Sequence, residues 1–232
     1  MRRFNLITIK NTHTKEIHMK TSEIIKALEK ASKAMNEQTI CIRFYGIADG
    51  WDLWLDAQEI VETYSKDLAE WISEALQNEA GLDVLEADEE AAHILNRDWC
   101  VVDDEGGLVG CFTSYGSGWG FMDWNGYEEA LEADLDEDLV IAALGYGIEV
   151  SEISDKYYGE FTVSICQFMN DAESTAFAEL YAEETGLLSE MPENLKQYFD
   201  YERYGRDLAM DFTFIDSGRI ENCERVYYAF HN

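Results

Sequence analysis

Residues 39–55 read TICIRFYGIADGWDLWL, and this stretch decides the fold class. Apolar residues alternate over 39–45 and recur over 51–55, and Asp49 with Gly50 between them is a turn signal, so two paired strands are predicted. Asp56 follows with Glu59 three positions later, which is typical of a helix N-terminus. A strand pair that leads into a helix predicts the α+β class.

The helix after Asp56 is predicted as one element, because its apolar residues recur at helical spacing up to a stop at Gly81. These apolar residues are Ile60, Val61, Tyr64, Leu68, Trp71, Ile72 and Leu76. A short acidic helix is predicted from Asp88 to about Arg97. Two further strands, at 99–102 and 108–112, complete a compact α+β module.

The middle of the chain changes in composition. Residues 113–126 (TSYGSGWGFMDWNG) are rich in glycine and aromatic residues, and they mark the first module boundary. Over 128–140 an apolar stripe runs between acidic residues, which predicts one or two helices with an acidic outer face. Residues 157–161 (YYGEF) predict a short strand or turn, and helical patterns continue from there to residue 169.

The C-terminal part combines helices with a final hairpin. A helix is predicted over 173–185, and Pro192 stands where the first position of the next helix is expected. Two strands, at 212–215 and 226–230, are predicted to form a hairpin about Ser217 and Gly218. The residues expected to form an aromatic core here are Leu195, Tyr198, Phe199 and Tyr204.

These elements predict three small α+β modules behind a basic extension. The predicted regions are a basic N-terminal extension with a helix at 1–38, an N-terminal α+β module at 39–118, an acidic helical middle module at 119–156 and a C-terminal α+β module at 157–232. Met19 is an alternative start. The composition of 47% hydrophobic and 13% aromatic residues indicates a folded core rather than a disordered acidic tail.

Charge is the most unusual feature of the sequence. Residues 67–155 contain 24 Asp and Glu but one Lys or Arg, a net charge of −23, and residues 98–155 contain no Lys, Arg or His. Such crowding costs folding free energy through repulsion, which favours a functional use of the field. Residues 1–43 have a net charge of +5, so halophilic adaptation, which would act evenly along the chain, does not explain the pattern. The expected partner is basic.

The same features argue against other classes of protein. A net charge of −31 disfavours direct binding to nucleic acid or to an anionic membrane surface. Five widely spaced cysteines without a CxxC pair, no signal-peptide pattern and no apolar run near 18 residues predict a reduced, cytoplasmic protein. No cofactor or metal is expected, since the calcium-loop pattern that begins at Asp134 has Leu139 at its sixth position and Gly145 at its twelfth.

One run of the C-terminal part resembles a known family. Residues 181–208 (YAEETGLLSEMPENLKQYFDYERYGRDL) are similar to the C-terminal signature of the ArdA-type antirestriction proteins of conjugative plasmids and transposons. Three upstream stretches also resemble that family: 157–161 (YYGEF), 99–107 (WCVVDDEGG) and 40–56 (ICIRFYGIADGWDLWLD). The resemblance covers residues 39–230. Residues 1–38 lack a counterpart, Asp104 stands where an aromatic residue is usual, and 164–175 is longer than expected.

The resemblance implies an elongated protein of three modules whose carboxylates imitate the phosphates of bent B-form DNA. Such proteins are dimeric through the C-terminal part and occupy the DNA groove of type I restriction-modification enzymes. The charge is sufficient, because the net −36 after residue 43 matches about 60 Å of duplex at one charge per ~1.7 Å. The candidate phosphate mimics are Asp88, Glu89, Glu90, Asp103, Asp104, Glu105, Glu128, Glu129, Glu132, Asp134, Asp136, Glu137, Asp138, Glu149, Glu152, Asp155, Glu179 and Glu183. The candidate dimer-interface residues are Tyr198, Phe199, Tyr201 and Tyr204.

Two alternatives stay open. The first is an acidic binder of another basic nucleic-acid-binding protein, such as a CRISPR nuclease or a histone-like protein. The second is a carboxylate-based hydrolase, but the chain has no HExxH, no GxSxG and no Cys and His cluster at zinc spacing, so a non-enzyme is favoured. Within the chain, Arg203 and Arg206 are expected to hold acidic helices together rather than to contact a target.

Overall fold

The computed structural model describes residues 19–45, 47, 50–96, 98–116, 119–165 and 171–232. Helices and three small sheets are distributed over two compact units, one ending at Asp103 and the other beginning at Asp104. This architecture confirms the α+β class. The division into three modules stays a prediction. No helix in the described ranges is long and apolar enough to cross a membrane.

In its described residues, the first unit combines a three-stranded sheet with four helices. Its elements are α1 (Thr21–Ser32), β1 (Ile40–Phe44), β2 (Trp51–Leu55), α2 (Ala57–Glu62), α3 (Leu68–Ala80), α4 (Val84–Leu95) and β3 (Trp99–Asp104), whose last residue opens the second unit. The strand order is β2-β1-β3, and β1 pairs with β2 in the antiparallel register Ile42↔Leu53. The predicted strand pair at 39–55 is therefore confirmed, although the expected turn residue Asp49 lies outside the described residues.

The region predicted as one helix after Asp56 is two helices. Asp56 accepts a hydrogen bond from the backbone N–H of Glu59 at 3.1 Å, which confirms the predicted cap of α2. The chain then leaves the helical path, since Ser65 and Lys66 have φ of +48° and +69°. Asp67 caps α3 by accepting from the N–H of Ala69 at 2.8 Å. The prediction of a single helix is wrong because both halves carry the same apolar face, which hides the break.

The second unit contains the remaining elements. These are α5 (Gly107–Gly110), β4 (Thr113–Gly116), β5 (Trp119–Met122), α6 (Trp124–Glu132), α7 (Glu137–Tyr146), α8 (Val150–Lys156), β6 (Tyr157–Ser164), α9 (Ala172–Glu184), α10 (Glu193–Lys196), α11 (Tyr201–Leu208), β7 (Phe212–Glu221) and β8 (Glu224–His231). The predicted strand at 108–112 is wrong, because Gly106 and Gly107 adopt positive φ and start a helical turn instead. Residues 157–164 form one strand, so the short strand predicted at 157–161 is confirmed and the helical pattern predicted after it is wrong at 162–164. Residues 166–169 of that pattern lie outside the described residues.

A three-stranded antiparallel sheet with the order β6-β8-β7 carries the core of the second unit. Phe177 of α9 is fully buried and packs against Phe161 of β6 and Phe212 of β7, with ring centroids 5.4 and 4.9 Å away. The predicted hairpin exists, but its turn lies at Asn222 and Cys223. The expected turn residues 217–218 instead lie in an irregular stretch of β7.

The predicted aromatic core over 195–204 is only partly formed. Phe199 packs against Tyr201 and Tyr204, with ring centroids 4.9 and 5.5 Å away. Tyr198 is 76% exposed and Leu195 is 48% exposed, so these two residues are surface residues. The prediction that they belong to the core is wrong, because the helical turn α10 holds no buried residue.

Three tyrosines make the fold sensitive to alkaline pH. Burial raises the pKa of Tyr64, Tyr158 and Tyr228 to about 12. A phenol with a raised folded-state pKa contributes stability below pH 10, its unfolded value, and loses that contribution as pH rises towards 12. We therefore expect the free energy of unfolding to fall over this window.

Tyr228→Phe tests the alkaline effect, because the Tyr228 hydroxyl is buried and makes no hydrogen bond with the described residues. Denaturant unfolding at pH 8 should give the variant a stability within about 1 kcal/mol of the wild type. Between pH 10 and 12 the variant should lose less stability than the wild type. Parallel stability curves for the two proteins would contradict the assignment to Tyr228.

Candidate acidic interaction surface

The structure places the candidate carboxylates mainly at the surface of both units. Fourteen of the eighteen candidate residues are exposed, and Glu90, Asp104, Glu128 and Glu152 are half-buried. The first unit contains Asp88, Glu89, Glu90 and Asp103, and the second unit contains the others. Exposure alone does not separate carboxylates that hold the fold from carboxylates that remain available to a partner. Their hydrogen bonds and ion pairs make that separation.

The densest acidic run, at 128–138, lies across the junction of α6 and α7. Asp123 caps α6 by accepting from the N–H of Gly126 at 3.1 Å. Asp134 has a left-handed φ of +50°, which turns the chain between the helices. Asp136 then caps α7 by accepting from the N–H of Leu139 at 3.2 Å. The helical path is therefore interrupted here, because Asp134 forms the turn and Asp136 caps the next helix.

The first turn of α7 uses its carboxylates to hold the fold. Besides the cap at Asp136, Glu137 accepts a hydrogen bond from the N–H of Leu108 at 3.1 Å, which satisfies a donor of α5. Asp138 lies 3.9 Å from the guanidinium of Arg219 on β7. These three candidate phosphate mimics thus have structural contacts within their own unit.

The end of α6 is different. Glu129, Glu132 and Asp134 are exposed and form no hydrogen bond or ion pair through their side chains with the described residues. Glu129 and Glu132 are three positions apart on one helix, so they project from the same face. Their negative charge is compensated by no neighbouring cation among those residues, and it is available to a basic partner.

Three more candidates are engaged within the fold. Asp88 accepts from the hydroxyl of Ser73 at 2.6 Å, and Glu152 pairs with Lys156 at 3.2 Å. Asp104 accepts from the N–H of Gly106 at 2.7 Å and from the hydroxyl of Thr113 at 2.6 Å. These contacts give Asp104 a structural role in the turn that leads into α5.

Ten candidates form no side-chain hydrogen bond or ion pair within the described ranges, and we call them the open carboxylates. They are Glu89, Glu90, Glu105, Glu129, Glu132, Asp134, Glu149, Asp155, Glu179 and Glu183. Eight of the ten lie in the second unit. The sequence predicts both groups equally, since nothing in the charge pattern separates a cap from an open carboxylate.

The cations of the second unit are mostly used internally. Residues 104–232 contain six Lys and Arg against 28 Asp and Glu, a net charge of −22. Five of the six cations pair with carboxylates of the same unit: Lys156, Lys196, Arg206, Arg219 and Arg225. Arg206 does pair internally, with Glu202 at 3.1 Å, but both residues lie in α11, so the prediction that Arg206 holds acidic helices together is wrong. Arg203 is exposed and forms no ion pair with a described residue, so the prediction for it is wrong.

Sequence reasoning missed Arg219. The sequence predicts isolated charges at 128–138 because no cation is near them in sequence, but Arg219 reaches Asp138 from 81 positions further along the chain. In the fold β7 lies beside α7, and this contact cannot be predicted from the local sequence around either element. For Asp138 the premise of an isolated charge is wrong.

The four candidate dimer-interface residues differ in exposure. Tyr198 is largely exposed, whereas Phe199, Tyr201 and Tyr204 are half-buried and pack on one another. Tyr201 also lines an open groove of about 590 Å³ beside α9, together with Glu179, Glu183 and Lys196. In the described part of the chain no three His, Cys, Asp or Glu side chains are placed to hold a metal ion.

Comparison with known proteins identifies the family. The family profile described as Antirestriction protein (ArdA) matches residues 9–221, which is most of the chain. No curated protein matches the chain. The match begins 30 residues before the predicted start of the resemblance at residue 39, so the expectation that residues 1–38 lack a counterpart is wrong for residues 9–38.

The family match gives the function at a general level. The family description implies an antirestriction inhibitor that interacts with restriction-modification enzymes. The chain therefore belongs to the ArdA family of antirestriction proteins.

Proposed function

We propose that this antirestriction protein mimics B-form DNA and competes with DNA for the binding groove of a type I restriction-modification enzyme. The observation that carries the proposal is the set of ten open carboxylates, eight of them in a unit where five of six cations are already paired. A surface of this kind presents negative charge to Lys and Arg side chains that normally meet phosphates. It also repels DNA itself.

The spacing of the open carboxylates supports the mimicry. Glu129 and Glu132 lie three residues apart in α6, which corresponds to about 4.5 Å along the helix axis at 1.5 Å per residue. Phosphates of one B-DNA strand follow one another at about 3.4 Å along the duplex axis. The two axial spacings are of the same order, so neighbouring carboxylates on such a helix place negative charges at intervals comparable to those of one DNA strand. The type I target is proposed from the family resemblance together with this charge pattern.

The salt dependence of binding tests the electrostatic part of the proposal. Carboxylates on a protein surface hold fewer condensed counterions than DNA does, so fewer are released when they bind a basic groove. Each ion pair in the complex is nevertheless weakened by added salt. We expect the dissociation constant of the complex with a purified type I enzyme to rise at least tenfold between 50 and about 200 mM salt. Binding that is insensitive to salt would remove the basis of the proposal. Binding to a CRISPR nuclease or a histone-like protein, but to no type I enzyme, would favour the alternative of another basic partner.

We also propose that the protein is a homodimer through its C-terminal part. The support is the exposure of apolar side chains in one segment, with Leu187 at 48%, Leu195 at 48% and Tyr198 at 76%. Exposed apolar side chains grouped in this way are typical of protein interfaces.

Leu195→Ser with Tyr198→Ser tests the dimer. Because both side chains are exposed, we expect folding to be retained and the dimer dissociation constant from sedimentation to rise at least tenfold. Phe121→Ser is the matched control, since Phe121 is 61% exposed on β5, outside this segment. A wild-type protein that sediments as a monomer at high concentration would refute the dimer.

A further inference from the structure

Arg219 lies at a specially built point of β7. The register of β7 against β8 shifts between Asp216 and Ile220, and Gly218 within this bulge has a φ of +77°. Asp216 accepts from the N–H of Gly218 at 2.9 Å. The Ser217 hydroxyl accepts from the N–H of Arg219 at 3.1 Å and donates to the carbonyl of Val226 at 2.9 Å. Bulges of this kind re-aim a side chain, and here the redirected side chain is an arginine.

The redirected guanidinium meets three carboxylates from three elements. It pairs closely with Glu160 of β6 and lies 3.9 Å from both Asp138 of α7 and Glu221 of β7. Its side chain is only 29% exposed, and its Cζ lies 5.7 Å from the ring centroid of Tyr228. Among the described cations of the second unit, Arg219 alone joins a helix of the acidic run to the sheet.

Negative charges outnumber the single positive charge around Arg219. One guanidinium faces Asp138, Glu160 and Glu221, and Asp136 is close enough to act on the buried hydroxyl of Tyr228. Without Arg219 these four exposed carboxylates would repel one another, with solvent screening part of the repulsion. The first turn of α7 carries two of them and would be pushed from the sheet.

The fold of α7 does not depend on this contact alone. Leu139, Val140 and Ala143 of the helix are buried, and Asp136 provides its cap. The apolar packing therefore keeps α7 on the unit, while the ion pairs of its first turn set where its acidic end lies. A residue with this effect changes the shape of the acidic surface more than the stability of the fold.

We propose that Arg219 is a positioning residue for inhibition: it fixes the acidic first turn of α7, and the adjoining open carboxylates of α6, in the arrangement that fits a basic groove. The proposal rests on the proposed function. It predicts a change in the inhibition constant opposite to the change that net charge alone predicts. Removing a cation makes the inhibitor more negative, which by net charge alone would strengthen binding to a basic partner. The proposal predicts weaker binding instead, because the carboxylates of α6 and α7 lose the arrangement that fits the groove.

Three variants of the full chain test the proposal: Arg219→Gln, Arg219→Lys and, as the control, Arg206→Gln. Arg206 pairs with one carboxylate of its own helix, Glu202, at 3.1 Å, so its loss changes the net charge equally without altering the bulge in β7 or the contacts of α7. We expect Arg219→Gln to raise the inhibition constant against a type I enzyme about tenfold, with partial rescue in Arg219→Lys. Arg206→Gln should leave the inhibition constant unchanged or slightly lower it.

Amide hydrogen exchange provides a measurement that needs no target enzyme. In Arg219→Gln the amides of Leu139 and Val140, which donate hydrogen bonds to Asp136, should exchange at least tenfold faster, while those of α9 and β8 keep their wild-type rates. Unchanged exchange at these two amides, or a lower inhibition constant in Arg219→Gln, would overturn the proposal. If the wild-type protein does not bind a type I enzyme, the proposed function fails, and exchange still decides whether Arg219 fixes α7.

Discussion

We expect Gly205→Ala to lower the stability of the second unit by about 2–3 kcal/mol, the upper part of the range for forcing an extra carbon into a close-packed contact. A Cβ at this position of α11 would lie 2.4 Å from the carbonyl oxygen of Ser174 and 2.6 Å from its carbonyl carbon. Both atoms belong to the backbone of α9, so no side chain can rotate away. The two helices must separate, and the aromatic core between α9 and the sheet loosens with them.

Gly145→Ala is the matched control for this result. Gly145 lies within α7, and a Cβ there would meet nothing within 4 Å. Because alanine favours a helix over glycine by up to about 1 kcal/mol, the control should be neutral or stabilised. Thermal unfolding measures both variants, with an expected decrease in Tm of about 4–12 °C for Gly205→Ala. An unchanged Tm in Gly205→Ala would show that α9 and α11 do not pack as described.

Simultaneous Glu129→Gln, Glu132→Gln and Asp134→Asn is the second change with a large expected effect. These three open carboxylates make no side-chain contact with the described residues, so their neutralisation should leave the free energy of unfolding within about 0.5 kcal/mol of wild type or relieve repulsion. The inhibition constant against a type I enzyme should rise at least tenfold, and the salt dependence of binding should become shallower. Each single substitution should change inhibition little, since the charge acts collectively.

The control for the triple variant removes the same charge elsewhere. Glu190→Gln, Asp207→Asn and Asp211→Asn neutralise three exposed carboxylates that are not candidate mimics. Equal losses of inhibition in the two triple variants would mean that total charge, rather than the α6 surface, decides binding. A single substitution that abolishes inhibition would instead favour one localised site.

The fold class was predictable where the sequence carries local signals. Alternating apolar residues at 39–55, the cap at Asp56 and the apolar spacing of α9 all report structure within a few neighbours, and each is confirmed. Prediction from local signals was wrong where backbone dihedral angles interrupt a continuous apolar pattern. The positive φ of Ser65 and Lys66 splits a continuous apolar face into two helices, and Gly106 with Gly107 turns an apparent strand into α5.

The candidate surface was predictable as a region but not as a set of roles. Composition alone identifies the acidic run, because the excess of Asp and Glu is independent of the fold. The roles of Asp136, Glu137 and Asp138 depend on a helix start, on α5 and on Arg219 of a distant strand, respectively. Sequence separation hides the last two contacts, and the structure is needed to distinguish Asp138 from Asp134.

Competition with duplex DNA distinguishes an inhibitor that occupies the DNA groove from one that binds elsewhere on the enzyme. Labelled duplex bound to a purified type I enzyme is titrated with the wild-type protein at fixed salt, and the apparent dissociation constant for DNA is measured at each protein concentration. A mimic that occupies the DNA groove predicts a linear rise without a plateau and no complex that contains enzyme, DNA and inhibitor together. A rise that reaches a plateau, or a stable ternary complex, would place the inhibitor outside the groove and contradict DNA mimicry.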